Sequence, residues 1–375
     1  MHLYVRADAD GKIGTGHIMR CIALAQAWQD QGGDVTFIRH CESEVLQERI
    51  TDEGFSIIAV ETPPPHPADL SQTLSYLKSH SPFTIYHSPV WLVLDGYHFT
   101  PDYQKAIRDA GIRLLVIDDM NHLPHYHADI LLNQNIHAPG LKYKCDAETT
   151  LLLGTNYVLL RREFLKYRDF KRQIPEHAKN ILVTLGGADP ENVTLKVIEA
   201  LKLLDEPDIS VRIIIGPANS HQESLRKALT TTLFDTELLV NPPNMPELMA
   251  WADMAVSGGG STCWELALFG LPNIILYCAE NQRPIAEKLH EKGIALNLGG
   301  HTELSLKSIA EEIDKMINNQ AIRAKMVSKA TGQIDGQGAA RVCQAIEEVN
   351  KAAVLIPTKV SSSANLPRMG GYAGE

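Results

Sequence analysis

ADADGKIGTGHIMRCIALAQAW, residues 7–28, is the stretch from which the rest of the chain can be read. Leu3 and Val5, just before it, belong to a short apolar strand. Gly11, Gly14 and Gly16 let the backbone turn sharply and let another molecule come close. Beyond Gly16 the apolar residues recur at Ile18, Cys21, Ile22, Ala25 and Trp28, the spacing of one helix face. His17 therefore falls in a first helical turn, where backbone N–H groups lack partners and the helix dipole is positive. On the residues alone, two readings stand. The loop presents a titratable ring at the carboxyl end of a first strand as part of an active site, or it caps a helix and leaves a histidine facing solvent.

The chain around this stretch has 375 residues, enough for two domains with a core each. Apolar residues make up 44% and charged residues 21%, the balance of a soluble globular protein. A net charge of −10 argues against nucleic acid as a partner, since neutralising phosphates needs clustered Lys and Arg. It leaves room for an anionic small ligand at a locally positive site. The amino-terminal MHLYVRADAD has no secretory pattern, and no run of about 18 apolar residues offers a membrane span. Cys21, Cys41, Cys145, Cys263, Cys278 and Cys343 are scattered without a C-x-x-C pair, so reduced thiols in a cytoplasmic protein are expected.

In the first half, strands are expected at 2–6, 34–39, 56–60, 91–95, 113–118 and 130–133, with helices near 17–31, 43–53, 67–80 and 101–110. This alternation implies a parallel sheet covered on both faces, with its ligand at the carboxyl ends of the strands. The polar residues at those ends are Asp8 and Asp10; Asp95, Tyr97 and His98; Asp118 and Asp119; Asn133 and Asn135. A connecting region follows over 139–178, in which 166–172 reads as a solvated helix or linker. The alternation then restarts, with strands at 180–187, 210–216, 236–241, 254–260, 271–277 and 294–300 and closing helices near 304–317, 320–331 and 336–351. The predicted fold is α/β, with two doubly wound, Rossmann-like domains facing each other across a cleft. The expected boundaries are 1–174, 175–352 and a flexible polar tail over 353–375.

The second half carries its own glycine turns. In SGGGSTCWE (257–265), Gly258, Gly259 and Gly260 expose backbone amides ahead of Ser261 and Thr262, an anion cradle suited to a diphosphate. Glu265, one turn on, is placed to accept hydrogen bonds from ribose hydroxyls. The competing reading is a tight strand-to-helix turn with a structural cap. LGGADPEN (185–192) sets Gly186, Gly187, Asp189 and Asn192 either along the cleft or at a close-packed turn before a helix. Asn281 and Gln282, at another strand end, either bond a sugar or start a helix. G-x-G-x-x-G fails at Met19, the P-loop fails at Ile13 and the nucleophile elbow fails at Cys263. His122, His125 and His127 cluster in a loop with no matching Cys or carboxylate set, so no metal is expected.

RADADGKIGTGHIMRCIALA, LVLDGY, VIDDM, HADILLNQN, LLGTNYVLLRREF, TLGGADPENVT, SGGGSTCWELALFGLP and ENQ occur in one order over about residues 1–350. In that ordered set the chain resembles the UDP-sugar hydrolases of pseudaminic acid biosynthesis, which are similar to inverting glycosyltransferases of the GT-B fold. The resemblance implies hydrolysis of UDP-2,4-diacetamido-2,4,6-trideoxy-β-L-altropyranose to UDP and the free sugar, with the anomeric C–O bond broken. It implies that His17 and Tyr97 are catalytic and that Gly258–Thr262 and Glu265 hold the nucleotide. Asn281 and Gln282 fall on the sugar-side segment, and Gly14, Gly16, Gly186 and Gly187 complete the expected substrate contacts.

Such a reaction needs a deprotonated water and a stabilised leaving diphosphate. An imidazole at position 17 suits the first task. Fixed amides at 258–262 suit the second, so no cofactor or metal is expected. Asp8 or Asp10 is the carboxylate expected to orient His17, from nearness in sequence. The expected state is a monomer or weak homo-oligomer, with no membrane partner.

Overall fold

The computed structural model describes residues 1–9, 15–40, 43–62, 65–80, 89–217 and 219–354. The expectations for Asp10, Gly11, Gly14, Cys41 and the tail from 355 onward lie outside the described residues. Residues 2–153 supply β1 (His2–Ala7), α1 (Gly16–Asp30), β2 (Asp34–Arg39), α2 (Glu44–Asp52), β3 (Ser56–Ala59), α3 (Asp69–His80), β4 (Trp91–Asp95), α4 (Pro101–Asp109), β5 (Arg113–Ile117), β6 (Ile130–Asn133) and β7 (Thr150–Leu153). All strand pairs among them are parallel, in the order β3-β2-β1-β4-β5-β6-β7. The central strands are buried on both faces, WLVLD in β4 among them, which is why they read as unbroken apolar runs and not as an alternation. Helix α4 starts sharply because the Thr100 hydroxyl accepts from Tyr103 N and Pro101 occupies the first turn.

After the short α5 (Arg162–Leu165) a second unit begins with β8 (Asn180–Thr184), α6 (Val193–Leu201), β9 (Ser210–Ile215), α7 (Gln222–Leu229), β10 (Asp235–Val240), α8 (Met245–Trp251) and β11 (Met254–Ser257). It continues with α9 (Thr262–Leu268), β12 (Asn273–Tyr277), α10 (Arg283–Glu291), β13 (Ala295–Gly300), α11 (Leu306–Asn318), α12 (Gln320–Ala330) and α13 (Gly338–Val354). Its parallel sheet runs β10-β9-β8-β11-β12-β13. The chain is thus two doubly wound α/β units, as the alternation implied.

Three features differ from the sequence reading. Residues 150–153, read as part of a connection, form β7 and pair with β6 at the edge of the first sheet. Of the two readings of 166–172, a solvated helix or a linker, the stretch is a linker of turns and coil, but it is not free of the second unit. Arg172 folds inward and donates to the carbonyls of Phe269, Ala252 and Met249, fastening the linker to ends of α8 and α9. Helix α13 belongs to the second half by chain order but packs in the first unit's core. Val342, Cys343 and Ile346 are buried there with Ile18, Ile22 and Val93, and Trp91 Nε1 donates to Asn350 Oδ1 at 2.9 Å.

Both sheets reverse direction of growth at one point, between β1 and β4 in the first and between β8 and β11 in the second. The connections after adjacent strands diverge there and leave a crevice at the carboxyl ends. The loop before His17 follows β1, and Asp95 ends β4, its neighbour in register with Ala7. Gly186 and Gly187 follow β8, and Gly258–Ser261 follow β11. The two crevices meet. A Cβ on Gly187 would lie 3.0 Å from Thr15 Oγ1, and one on Gly16 would lie 3.9 Å from Ser261 Oγ.

Candidate active site

Between the units lies a cavity of about 350 Å³, walled on one side by Gly16, His17 and Tyr97 and on the other by Gly186, Gly187, Asn281 and Gln282. Gly259, Gly260, Ser261, Thr262 and Glu265 complete the second wall. Its volume is of the size that takes a drug-sized or nucleotide-sized ligand. Gly258 does not reach the wall. It is buried under the turn, its N–H donating to Thr184 O at 3.1 Å and its carbonyl accepting from Ser257 Oγ and Cys263 Sγ.

His17 is 7% exposed, and its Nδ1 lies 2.5 Å from Asp95 Oδ1. That leaves Nε2 without a partner among the described residues. Asp95 is wholly buried and also takes two guanidinium bonds from Arg20, Nε to Oδ2 and Nη2 to Oδ1, both at 2.6 Å. Burial works to raise the Asp95 carboxyl, but the charges of Arg20 and His17 outweigh it and hold the group well below the usual carboxylate range. Arg20 spends its Nη1 on both oxygens of Asp119, at 2.8 and 2.9 Å. Asp119 in turn accepts from Tyr97 OH at 3.0 Å and Asn135 Nδ2 at 2.8 Å. Burial and the neighbouring Asp119 charge push the Tyr97 phenol up, so it stays a neutral hydroxyl. The Tyr97 ring stands edge-on to the imidazole, with centroids 5.0 Å apart.

Asp8 does not orient His17. It is turned to Arg6, with His98 Nε2 at 3.3 Å on its other oxygen. The reason is topological: β1 lies beside β4, so Asp95 is the carboxylate that faces the start of α1. Arg20, one turn after His17, and Asp119 were missed by the sequence reading as partners. The signal for Arg20 was its i+3 spacing from His17 on α1, which puts both on one face.

In the opposite wall, the amide of Gly259 is spent. It donates to Gln282 Oε1 at 3.0 Å, and Cys278 N donates to the same oxygen at 2.9 Å. Gln282 therefore braces the glycine turn with its oxygen and keeps only its Nε2 for the cavity. A Cβ on Gly259 would sit 2.9 Å from Gln282 Cβ, so glycine is required there by close approach. The amides of Gly260, Ser261 and Thr262 have no acceptor among the described residues, and all three residues line the cavity. Asp189 and Asn192 stand away from the cavity. Asp189 caps α6, accepting from Val193 N and Thr194 N at 2.8 Å each. Glu265 meets Arg161 Nη2 at 3.0 Å; burial pushes its carboxyl up and the Arg161 charge opposes that. Arg161, a cavity residue from the linker, was not anticipated. Asn281 Nδ2 donates to Tyr97 OH at 3.2 Å across the cleft, and its buried Oδ1 is unpaired among the described residues.

The profile of the glycosyltransferase family 28 C-terminal domain matches residues 180–360, a little under half of the chain. A Methanocaldococcus jannaschii protein, MJ1062, is 27% identical over 291 residues. The match takes in 76% of this chain and 57% of that protein's length. The Bacillus subtilis spore coat polysaccharide biosynthesis protein SpsG is 23% identical over 93% of this chain and 98% of its own. The Campylobacter jejuni UDP-2,4-diacetamido-2,4,6-trideoxy-β-L-altropyranose hydrolase is 26% identical over 78% of this chain and 97% of its own. Among solved structures, Acinetobacter baumannii MurG superposes with a TM-score of 0.62 at 15% identity, covering 92% of this chain and 99% of that one. The S. aureus MnaA–UDP co-structure gives 0.65 at 14% identity, covering 95% and 97%.

The fold is GT-B. No helix among the described residues is long and apolar enough to cross a membrane.

Proposed function

We propose that the chain hydrolyses a UDP-linked diacetamido-trideoxyhexose, UDP-2,4-diacetamido-2,4,6-trideoxy-β-L-altropyranose, to UDP and the free sugar. The observation that carries the reading is that one cavity is walled by an imidazole held at Nδ1 by a carboxylate and by three amides of the other unit with no acceptor among the described residues. The names of the Campylobacter jejuni relative and of the UDP-bound structural neighbour support the choice of substrate.

In this reading the diphosphate lies on the amides of Gly260, Ser261 and Thr262. Glu265, aligned by Arg161, accepts from the ribose. Asn281 and Tyr97 face the sugar, with Gly16, Gly186 and Gly187 allowing it close to both backbones. His17 Nε2 takes the proton of a water as that water attacks the anomeric carbon from the face opposite UDP. The C–O bond to UDP breaks, the electron pair leaves on the diphosphate and the sugar inverts. Asp95 holds the proton on Nδ1, so that Nε2 is the basic nitrogen, and it balances the imidazolium as that forms. A nucleotide diphosphate is a good leaving group, so one base and a fixed set of dipoles suffice, and the second carboxylate of ordinary glycosidases is not needed.

A transferase reading has in its favour the family 28 glycosyltransferase profile over the second unit. An NMR product assay with a panel of UDP-diacetamido-trideoxyhexoses separates the two. The hydrolase releases UDP and an inverted free sugar with water alone; a transferase leaves the nucleotide sugar intact until an acceptor is added. His17→Ala should abolish turnover and leave UDP binding nearly unchanged.

A further inference from the structure

The loop that carries Asp119 is tied down on its far side by a second group of side chains. Tyr126 and Cys145 form an isolated parallel bridge, and Tyr126 N donates to Lys144 O at 2.8 Å. The Tyr126 ring is fully buried, with its hydroxyl donating to Asp118 Oδ1 at 3.0 Å, and Tyr143 OH donates to Asp118 Oδ2 at 2.7 Å. Residues i and i+2 of an extended segment share a face. His125 and His127 therefore come out on the other side, with ring centroids 4.5 Å apart, beside the residue that follows the bridge, Asp146. His125 Nε2 lies 2.8 Å and His127 Nδ1 3.0 Å from the same oxygen, Asp146 Oδ1. The other oxygen, Oδ2, accepts from Arg108 Nη1 at 2.6 Å. All three donor groups lie within 4.8 Å of one another.

We propose that His125, His127 and Asp146 bind a divalent transition-metal ion of the zinc class, which clips the β5–β6 loop to the segment after β6. Sequence alone pointed away from a metal here because the histidine-bearing loop holds no matching carboxylate; the bridge brings Asp146 in from 19 residues beyond His127. Two imidazoles and one carboxylate oxygen form a donor set that suits zinc, nickel or cobalt and disfavours magnesium and calcium, which take all-oxygen sites. Tetrahedral zinc, with ligands at about 2.0–2.1 Å, wants donor atoms roughly 3.3 Å apart. The two His–Asp spacings, 2.8 and 3.0 Å, need to open by only about half an ångström, and the backbone bridge already fixes which side chains converge. Arg108 on Oδ2 supplies the outer hydrogen bond that ligating carboxylates commonly keep. Lys105 and Asp109 line the same recess, and Lys105 Nζ is engaged by Asp109 at 2.7 Å, so its charge is already compensated. None of the three ligands lines the cavity between the units, so the ion acts on the loop that presents Asp119 and not on the bound substrate.

The test is calorimetric titration of the chelator-treated, dialysed full chain with ZnCl2, with MgCl2 alongside, followed by thermal melts with and without zinc. The expected result is one zinc per chain at micromolar or tighter Kd, no magnesium binding and a Tm raised by several degrees. His125→Ala and Asp146→Asn should each weaken zinc at least tenfold and remove the Tm shift. His122→Ala, whose ring faces Asp118 and gives no donor to the cluster, should bind like the wild type. Absence of stoichiometric zinc binding, or unchanged affinity in both cluster variants, overturns the proposal. Should His125→Ala lose its fold by circular dichroism, the near-isosteric Asp146→Asn decides alone.

Discussion

Replacing Asp95 with Asn changes one atom's chemistry at the centre of the buried network and keeps its shape. Two costs follow. The first is structural. Asp95 and Asp119 share Arg20, and a buried charge left wholly unpaired costs about 3–5 kcal/mol. Arg20 keeps both oxygens of Asp119 and still has an amide oxygen to donate to, so the cost falls to that of one charge-assisted bond, about 1.5–3 kcal/mol. At roughly 2–4 °C per kcal/mol, Tm drops by several degrees and the fold survives. The second cost is catalytic. A neutral amide neither fixes the Nδ1 proton nor balances an imidazolium, and the corresponding change in a serine-protease triad costs about 10⁴ in kcat. General-base contributions span about 10²–10⁴, or about 2.7–5.4 kcal/mol of barrier, so kcat should fall at least 100-fold. The assay is steady-state UDP release, with UDP affinity by calorimetry on the same samples. Turnover within threefold of wild type refutes the orienting role. UDP affinity falling in step with kcat would show that the variant damages the cavity and not the base.

Gly259→Ala places a methyl 2.9 Å from Gln282 Cβ and displaces the brace of the glycine turn, so UDP affinity should fall at least tenfold by calorimetry, together with a lower Tm. Gln282→Ala leaves the partly buried amides of Gly259 and Cys278 without their acceptor; a loss of about 1–3 kcal/mol should appear in denaturant unfolding, together with weaker UDP binding. Arg161→Ala removes the charge that opposes the upward push of burial on the Glu265 carboxyl, so UDP affinity should decline more steeply at low pH than in the wild type, read as Kd between pH 5.5 and 8. Asp8, Asp95 and Asp119 all titrate below the usual carboxylate range when folded. The unfolded chain therefore binds more protons than the folded one as pH falls below about 5, and stability falls with it. Chemical denaturation from pH 7 to 3 should show this slope, and Asp95→Asn should flatten it.

How much of this was visible in the sequence follows from the range of each interaction. The parallel strands, the helix at His17 and the glycine turns were legible because unbroken apolar runs, 3.6-residue periodicity and adjacent glycines are local signals. The carboxylate behind His17 was not. Asp95 lies 78 residues away, and only the strand order, β1 beside β4, brings it to the imidazole. The expectation of Asp8 or Asp10 followed chain proximity, whereas Asp8 is taken by Arg6, two residues before it. Helix α13 shows an amphipathic pattern that does not name its partner, and it packs across the whole chain onto the first unit. Gly258 and Gly259 looked like equal members of a cradle. The fold spends both of their amides on Thr184 and Gln282 and leaves those of Gly260, Ser261 and Thr262 without an acceptor among the described residues.

The central claim, water attack at the anomeric carbon inside this cavity, is tested most directly by turnover in ¹⁸O-labelled water with the UDP-diacetamido-trideoxyhexose as sole substrate and mass analysis of both products. The account predicts one ¹⁸O in the free sugar and none in UDP. Label in UDP would mean attack at phosphorus, and failure to release UDP without an added acceptor would mean transfer; either result contradicts it.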